Sequence, residues 1–457
     1  MMNTPKGSGF VFICLSLLIV GFGQIETVVS QTPPASPTPS TSPTPNTQTV
    51  STFLESGAKA LDSGIKMEEF VINAEDLVTK TKGIAPVVES AIPPELSSTG
   101  KIIVNKGKTI IYNGQNIIQM IAPKTSSEGL TTVKMNNAAI LYSPFNWAVT
   151  SQGAKTINSG AYFKVFFTGT SCRLMTDTSA DIGPFPQINV RIDGGTFTQY
   201  TLTPSNPTIL VASERNNHKH LLEVIVKSTS EQVNRWAKQQ NSVTFTGLQV
   251  ESGTTLTAAA RRPFNVLIYG DGITEGVLVN PKIGVQGSLK ETDRNDATQD
   301  YSWVLSQTLP IEVGVVGFGG TGITKSGSGG VPPLSTSYQF LWAGQPRSFL
   351  PAPDLIIYNE GTSDQQDITA ALTTIVKAHQ TLAPKAKQLL LRPFNGAHTS
   401  EIKVVASKTS NVVYGDTTGF LDPSSDLDEG VYPWGATHVG ILAPRLTKLI
   451  MPLLPSR

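Results

Sequence analysis

The sequence predicts an α/β fold in which a parallel sheet with helices on both faces follows a β-rich domain. From 262 onwards, apolar strands alternate with helical segments, which is typical of a parallel sheet covered by helices. The predicted strands are 265–269, 312–316, 355–358 and 388–391, and the predicted helices are 302–309, 368–382 and 439–449. Between 136 and 257, short strands of alternating polarity recur about every ten residues, which favours a β-sandwich.

The N-terminus has the features of an export signal. Lys6 precedes an apolar stretch at 10–23, which is too short for a typical membrane span, and small residues precede Gln31. We therefore expect a signal peptide over 1–30, with a retained signal anchor as the alternative. Residues 31–50 are rich in Pro, Ser and Thr and predict an extended tether. A secreted or cell-surface location follows from these two features.

The next segment, 51–124, is interpreted as a helical spacer because its apolar residues recur at three-to-four spacing. Within it, 100–121 contains a seven-residue repeat that allows two structures. A packed helix is favoured, although three interior glycines disfavour helix. Asn113-Gly114 is also a hairpin signal, so a small β-meander is the alternative. We expect self-association through 51–122, not a functional site.

A buried strand at 266–269 runs into a tight turn in the segment GDGITEG at 270–276. This is the local setting in which hydrolases expose a nucleophilic serine. The segment resembles block I of the SGNH (GDSL-like) hydrolases at every defining position except one. Position 272, where the family has its serine, is glycine.

Three later segments resemble the remaining blocks in order. In GFGGTG at 317–322, Gly320 matches the block II glycine whose N–H helps to form the oxyanion hole in the family. In block III, Ser363 stands where the family has the asparagine donor of that hole. In block V, Tyr432 replaces the histidine base and Glu429 takes the position of its carboxylate partner.

The resemblance implies which residues surround the pocket and what they can do. Serine attacks an ester only when a base takes its proton, and Gly272 has no side chain. A phenol, with an ordinary pKa of about 10, would make Tyr432 a donor at neutral pH, not a base. Five neighbouring positions are expected to contact a ligand: Asp271, Thr274, Gly319, Asp364 and Trp434.

The β-rich region resembles, more weakly, the jelly-roll modules that precede the SGNH domain in secreted acetyl-xylan-type carbohydrate esterases. The segments at 138–147 and 154–164 carry that likeness. The expected organisation is therefore a β-sandwich (jelly-roll) domain over 125–260 and an SGNH-like three-layer α/β/α domain over 261–457.

The favoured functional hypothesis is a secreted pseudo-esterase that binds an acylated glycan or another ester-like ligand. One alternative is an active acyl or acetyl esterase with a replacement nucleophile such as Thr274 or Ser363; another is a structural surface module. The net charge of +1 over 457 residues gives no electrostatic argument for nucleic acid. The histidines have no metal-ligand spacing and there is no Cys-x-x-Cys, so neither metal nor cofactor is expected.

Overall fold

The computed structural model describes residues 100–104, 108–112, 129–213, 215–280, 291–428 and 430–456. The chain divides into two compact units, Met1–Glu128 and Gly129–Arg457. The predicted signal peptide, the tether and the helical periodicity at 51–99 lie outside the described residues. Within the described parts of the chain, no helix has the length and apolar character needed to cross a membrane.

In the first unit, strands β1 (Gly100–Val104) and β2 (Lys108–Tyr112) pair in antiparallel register. The helix that we favoured for this stretch is therefore wrong, and the β alternative describes 100–112. Each strand contains paired β-branched residues, which fit a pleated strand better than a helix interior. Asn113-Gly114 and the third repeat lie outside the described residues.

The second unit begins with twelve strands that form two six-stranded antiparallel sheets. They are β3 (Leu130–Val133), β4 (Leu141–Tyr142), β5 (Ala148–Val149), β6 (Ala154–Thr156), β7 (Tyr162–Thr168), β8 (Cys172–Thr176), β9 (Gln187–Ile192), β10 (Thr198–Thr201), β11 (Thr208–Ala212), β12 (Lys219–Ser228), β13 (Val243–Glu251) and β14 (Leu256–Thr257). One sheet contains β4, β7, β9, β10, β12 and β14, and the other contains the remaining six. Side chains of both sheets, such as Phe163 and Phe245, share one apolar core. We call this region the two-sheet part.

The rest of the unit contains a five-stranded parallel sheet in the order β16-β15-β19-β20-β21. The strands of this region are β15 (Phe264–Gly270), β16 (Ile311–Gly317), β17 (Phe340–Trp342), β18 (Gln345–Pro346), β19 (Leu355–Asn359), β20 (Lys387–Leu391), β21 (Val412–Gly415), β22 (Leu427–Asp428) and β23 (Tyr432–Pro433). The four predicted strands are all present. The edge strand β21 was not predicted, because it is short and only its last residue is fully buried. We call this region the parallel-sheet part.

Helices cover both faces of the parallel sheet. They are α1 (Gly272–Glu275), α2 (Glu291–Arg294), α3 (Tyr301–Thr308), α4 (Leu334–Ser337), α5 (Thr369–Leu382), α6 (Thr399–Lys408), α7 (Gly435–Thr437) and α8 (Ala443–Ile450). Short 3₁₀ turns occupy Ala297–Gln299, Ser328–Gly330 and Met451–Leu453, and a π-helical turn occupies His438–Leu442.

The alternation of side chains along β15 explains the layered arrangement. Ile268 packs in one cluster with residues of α3 and α8, whereas Leu267 packs in another with residues of α5 and α6. Every residue of β15 is buried, as expected for a parallel strand covered on both faces. This part of the chain therefore has three layers, with the sheet between two layers of helices.

The two-sheet part packs directly on the parallel-sheet part through polar contacts. Asn146 Nδ2 donates to the carbonyl oxygen of Val315 at 3.1 Å. Lys227 Nζ donates to the carbonyl oxygens of Thr292 at 2.8 Å and Asn295 at 2.7 Å. These groups are buried, so the contacts satisfy polar atoms that water does not reach.

Candidate active site

The block I segment forms a strand, a turn and one turn of helix at the carboxyl end of β15. Asp271 caps α1, because its carboxylate accepts a hydrogen bond from the Ile273 N–H at 2.9 Å. Gly276 ends the helix with a left-handed φ of 79°. Asp271 is only 3% exposed, and burial is the main cause that raises its pKa to about 6. Its carboxylate therefore has a structural role as a helix cap, and its contact with a ligand stays a prediction.

Gly272 is the first residue of α1, and the ring of Tyr432 lies directly against it. A Cβ built at position 272 would be 2.8 Å from Cε1 and 3.3 Å from the hydroxyl oxygen of Tyr432. It would also lie 3.3 Å from the Cα of Gly319. The structure thus brings together the block I, block II and block V positions. The space into which a nucleophile would project is filled by an aromatic ring.

Tyr432 is held in place by the short hairpin of β22 and β23. Asp428 and Tyr432 are partners in its antiparallel register. Asp428 also forms an ion pair with Arg294 of α2, which ties this hairpin to the rest of the site. Glu429, the predicted carboxylate partner of the block V base, lies outside the described residues. Trp434 is half-buried at the start of α7, and its role as a ligand contact stays a prediction.

The block II turn presents two consecutive glycines after β16. The Gly319 N–H donates to Glu275 Oε2 at 2.8 Å, so this amide is already satisfied. Gly320 has a left-handed φ of 68°, which favours glycine. Its N–H has no hydrogen-bond acceptor among the described residues. The Gly320 N–H could therefore donate to a ligand, and its role in an oxyanion hole stays a prediction.

Block III packs against block II through Asp364. Its carboxylate accepts from the Ile323 N–H at 2.8 Å and from the N–H and hydroxyl of Thr324 at 2.7 and 2.6 Å. Asp364 therefore fixes the two loops together, and its contact with a ligand stays a prediction. Ser363, immediately before it, is half-buried.

Thr274 is fully buried beneath the turn and is not accessible to a ligand. Its hydroxyl lies 2.8 Å from the Tyr301 hydroxyl and accepts from Asn359 Nδ2 at 3.1 Å. A Cβ at Gly270 would be only 1.9 Å from the same oxygen, so the side chain occupies the space beside the end of β15. The expectation that Thr274 binds a ligand is corrected to a role in packing.

Sequence reasoning missed a buried ion pair behind the turn. Arg235 follows β12 in the two-sheet part and is 0% exposed, while Glu275 of α1 is 1% exposed. The guanidinium donates from both terminal nitrogens to Glu275, with Nη2 to Oε2 at 2.9 Å. Arg235 Nη1 also donates to the Thr229 hydroxyl at 2.8 Å. Glu275 is a second acidic residue in the motif besides Asp271, and a carboxylate that follows a buried strand so closely is the signal that could have indicated a buried partner.

Glu231, also in the segment after β12, was missed as well. A Cβ at Gly319 would lie 1.2 Å from Glu231 Oε1, so this carboxyl group covers the Cα of Gly319. Glycine at 319 is therefore required by the position of Glu231. No sequence motif indicated this contact, because the two residues are far apart in the chain.

His438 and His398 both make structural contacts within the protein. His438 Nδ1 lies 3.1 Å from Asp300 Oδ2, with both side chains fully buried. His398 bridges Glu401, at 2.8 Å, and the carbonyl oxygen of Asp364, at 3.1 Å. Among the residues with described positions, no group of three or more His, Cys, Asp or Glu side chains is arranged to hold a metal ion.

Solved structures of carbohydrate esterases are similar to this chain. A family two carbohydrate esterase from Cellvibrio japonicus matches 71% of this chain and 98% of its own, with a TM-score of 0.58 and 21% identity. A family two carbohydrate esterase from Clostridium thermocellum in complex with cellohexaose matches 69% and 100%, with a TM-score of 0.56 and 18% identity. An acetyl xylan esterase from the rumen bacterium Butyrivibrio proteoclasticus matches 70% and 99%, with a TM-score of 0.57 and 14% identity.

No protein-family model and no curated protein matches the sequence. At these identities the structural matches establish the fold. The chain has an SGNH/GDSL-like hydrolase fold, as its block motifs predicted.

Proposed function

We propose that this protein is a secreted SGNH-fold protein that lacks serine-esterase activity and binds an acylated glycan. The observation that carries the proposal is the contact between Gly272 and Tyr432. The nucleophile is absent, and the ring of Tyr432 occupies the space where its side chain would be. No serine oxygen is therefore present at this position to attack the carbonyl carbon of a substrate.

The remaining parts of the site support binding better than catalysis. Gly320 keeps a backbone donor with no acceptor among the described residues, and such a donor suits a carbonyl oxygen. The replacement-nucleophile alternative loses one candidate, because the Thr274 hydroxyl is buried and hydrogen-bonded within the protein. Ser363 remains as the other candidate for a replacement nucleophile.

The class of ligand is inferred from the similar structures. One of them is described as an acetyl xylan esterase and another was solved with cellohexaose. We propose by analogy that this chain binds a β-linked oligosaccharide that carries acetyl groups. We further propose that the two-sheet part is a jelly-roll β-sandwich. The export features at 1–30 and the tether at 31–50 support an extracytoplasmic location.

The first test is covalent labelling of the purified protein with a serine-directed fluorophosphonate, followed by intact-mass measurement. We expect no adduct, because Gly272 carries no hydroxyl and no imidazole is placed at 432. Hydrolysis of a chromogenic acetyl ester should not exceed the uncatalysed rate. A stoichiometric adduct that disappears in a Ser363→Ala variant would show instead that Ser363 is a working nucleophile.

The second test is calorimetric titration with acetylated xylo-oligosaccharides and with the same oligosaccharides after deacetylation. We expect the acetylated form to bind about fivefold more tightly, because one satisfied hydrogen bond in a buried site contributes about 1 kcal/mol. Equal affinity for the two forms would contradict recognition of the acyl group. Absence of binding to both would contradict the proposed ligand class.

A further inference from the structure

We infer that Glu231 is a ligand-binding residue of this site and that its carboxylic acid group donates a hydrogen bond to the acyl carbonyl oxygen of the bound glycan. The inference rests on the proposed function and adds a residue that none of the block motifs contains. Because Glu231 belongs to the two-sheet part, that part would also contact the ligand directly.

Glu231 lies next to the turns of block I and block II. Glu231 Oε1 lies 1.2 Å from where a Cβ of Gly319 would be, and the Cα of Gly319 is 3.3 Å from where a Cβ of residue 272 would be. The carboxyl group of Glu231 therefore contacts Gly319, and Gly319 in turn contacts the turn at position 272, where the related hydrolases carry their nucleophile. It covers the Cα of Gly319 in the block II turn, whose N–H is bonded to a second carboxylate, that of Glu275.

The carboxyl group of Glu231 has unused hydrogen-bonding capacity. Glu231 Oε1 is buried and has no hydrogen-bond partner among the described residues. Its separation from Arg235 Nη2 is 3.9 Å, which is beyond hydrogen-bond distance. The side chain as a whole keeps 18% of its surface exposed, so part of it reaches solvent. A buried polar atom without a partner is costly, and a ligand atom would satisfy it.

Hydrogen bonds to Glu291 fix the backbone around Glu231. The Glu231 N–H donates to Glu291 Oε1 at 2.7 Å, and the Ser230 hydroxyl donates to Glu291 Oε2 at 3.0 Å. One carboxylate of α2 thus anchors two successive residues. A binding group held on an anchored segment loses less conformational freedom when a ligand arrives.

The charges around Glu231 favour its protonated form. Burial is the main cause that raises the pKa of this carboxyl to about 8, and the nearby Glu275, Glu291 and Asp271 raise it further. Arg235 acts in the opposite direction, but its guanidinium is already bonded to Glu275. The raised pKa favours the carboxylic acid, which can donate to a neutral carbonyl oxygen, over the carboxylate, which cannot.

The experiment compares Glu231→Gln, Glu231→Ala and the wild type by calorimetric titration with acetylated xylo-oligosaccharide at about pH 6 and about pH 9.5, on either side of the raised pKa. The wild type should bind about three- to tenfold more weakly at the higher pH, which corresponds to one hydrogen bond. Glu231→Gln keeps a donor that does not titrate, so its affinity should be the same at both pH values. Glu231→Ala should bind weakly at both.

Two further variants complete the comparison. Asp416→Asn removes an exposed carboxylate from the end of β21 and should leave both affinities unchanged. Gly319→Ala adds a methyl group where Glu231 Oε1 lies, and should weaken binding while the acid itself is retained. Wild-type affinity in Glu231→Ala, or a pH dependence that persists in Glu231→Gln, would overturn the inference and leave the proposed function intact. Failure of the wild type to bind at either pH would overturn both.

Thermal unfolding gives a readout that needs no ligand. Between the ordinary pKa of 4.5 and about 8, the unfolded chain releases the Glu231 proton while the folded protein keeps it. Stability from this group is therefore present at low pH and is lost as pH rises through about 8. The Tm of Glu231→Gln, relative to the wild type, should increase from about pH 5 to about pH 9. A constant difference would contradict the protonated state on which the inference depends.

Discussion

A variant that combines Gly272→Ser, Tyr432→His and Ser363→Asn is expected to hydrolyse a short acyl ester well above the wild-type rate. The three changes restore the nucleophile, the base and the second oxyanion donor of the family pattern. Because nucleophile and base act as a unit, losing either alone costs nearly as much as losing both, up to about 10⁶ in turnover. We expect the triple variant to exceed the wild type by at least about 10²-fold in kcat/KM.

The contact between position 272 and Tyr432 requires that two of these changes be made together. A Cβ at position 272 would lie 2.8 Å from Tyr432 Cε1, which is closer than carbon atoms approach in folded proteins. Gly272→Ser alone should therefore displace the Tyr432 ring and lower the Tm, without any gain in hydrolysis. Tyr432→His alone should remain inactive, because it still lacks a nucleophile. The pair Gly272→Ser and Tyr432→His should recover both stability and fluorophosphonate labelling.

Circular dichroism and Tm measurements should accompany the rates, so that a folded but inactive variant is recognised. A Gly272→Ala and Tyr432→His pair is the matched control, since it relieves the contact without supplying a hydroxyl. If the folded triple variant is no faster than this control, the cleft geometry differs from that of the active enzymes. Labelling of the triple variant at a residue other than position 272 would contradict the assignment of block I.

The local motifs predicted the parallel-sheet part well because each motif is a short strand followed by a turn. The run at 264–270 is wholly buried, and its apolar composition is enough to indicate a covered parallel strand. The structure adds the local reasons for two turn residues, because Asp271 caps α1 and Gly320 has a positive φ. The sequence could not reveal that Tyr432 fills the space beside Gly272, because that contact depends on the tertiary fold.

The residues that were missed come from the contact between the two-sheet part and the parallel-sheet part. Glu231 and Arg235 belong to a loop with no recognisable motif, and they reach the site only after both parts have packed together. The error at 100–112 has a different cause. A seven-residue repeat of apolar pairs fits both a helix and paired strands, and the β-branched residues decided in favour of strands. Long-range contacts and ambiguous periodicity thus limited the prediction.

The second large expected effect concerns the buried ion pair behind the turn. Arg235→Met should destabilise the protein by about 3–5 kcal/mol, which is the usual cost of removing one partner of a buried pair. Without Arg235, the carboxylate of Glu275, which is 1% exposed, would be a buried charge without its cationic partner. It would still accept a hydrogen bond from the Gly319 N–H. The guanidinium also lies 5.0 Å from the centre of the Phe318 ring, so its removal opens the packing beneath block II. Urea unfolding followed by intrinsic fluorescence measures the change.

A double-mutant cycle separates the charge from the packing. Arg235→Met combined with Glu275→Gln removes both charges and keeps an acceptor for Gly319, so the double variant should be more stable than Arg235→Met alone. Arg191→Met is the matched control, because its partner Glu223 keeps a second ion pair with Lys164 at 3.5 Å. Its expected cost is about 1 kcal/mol. Unfolding of Arg235→Met at the wild-type urea concentration would mean that the pair does not join the two parts energetically. The block II turn would then be held by the surrounding apolar packing and by Asp364 instead.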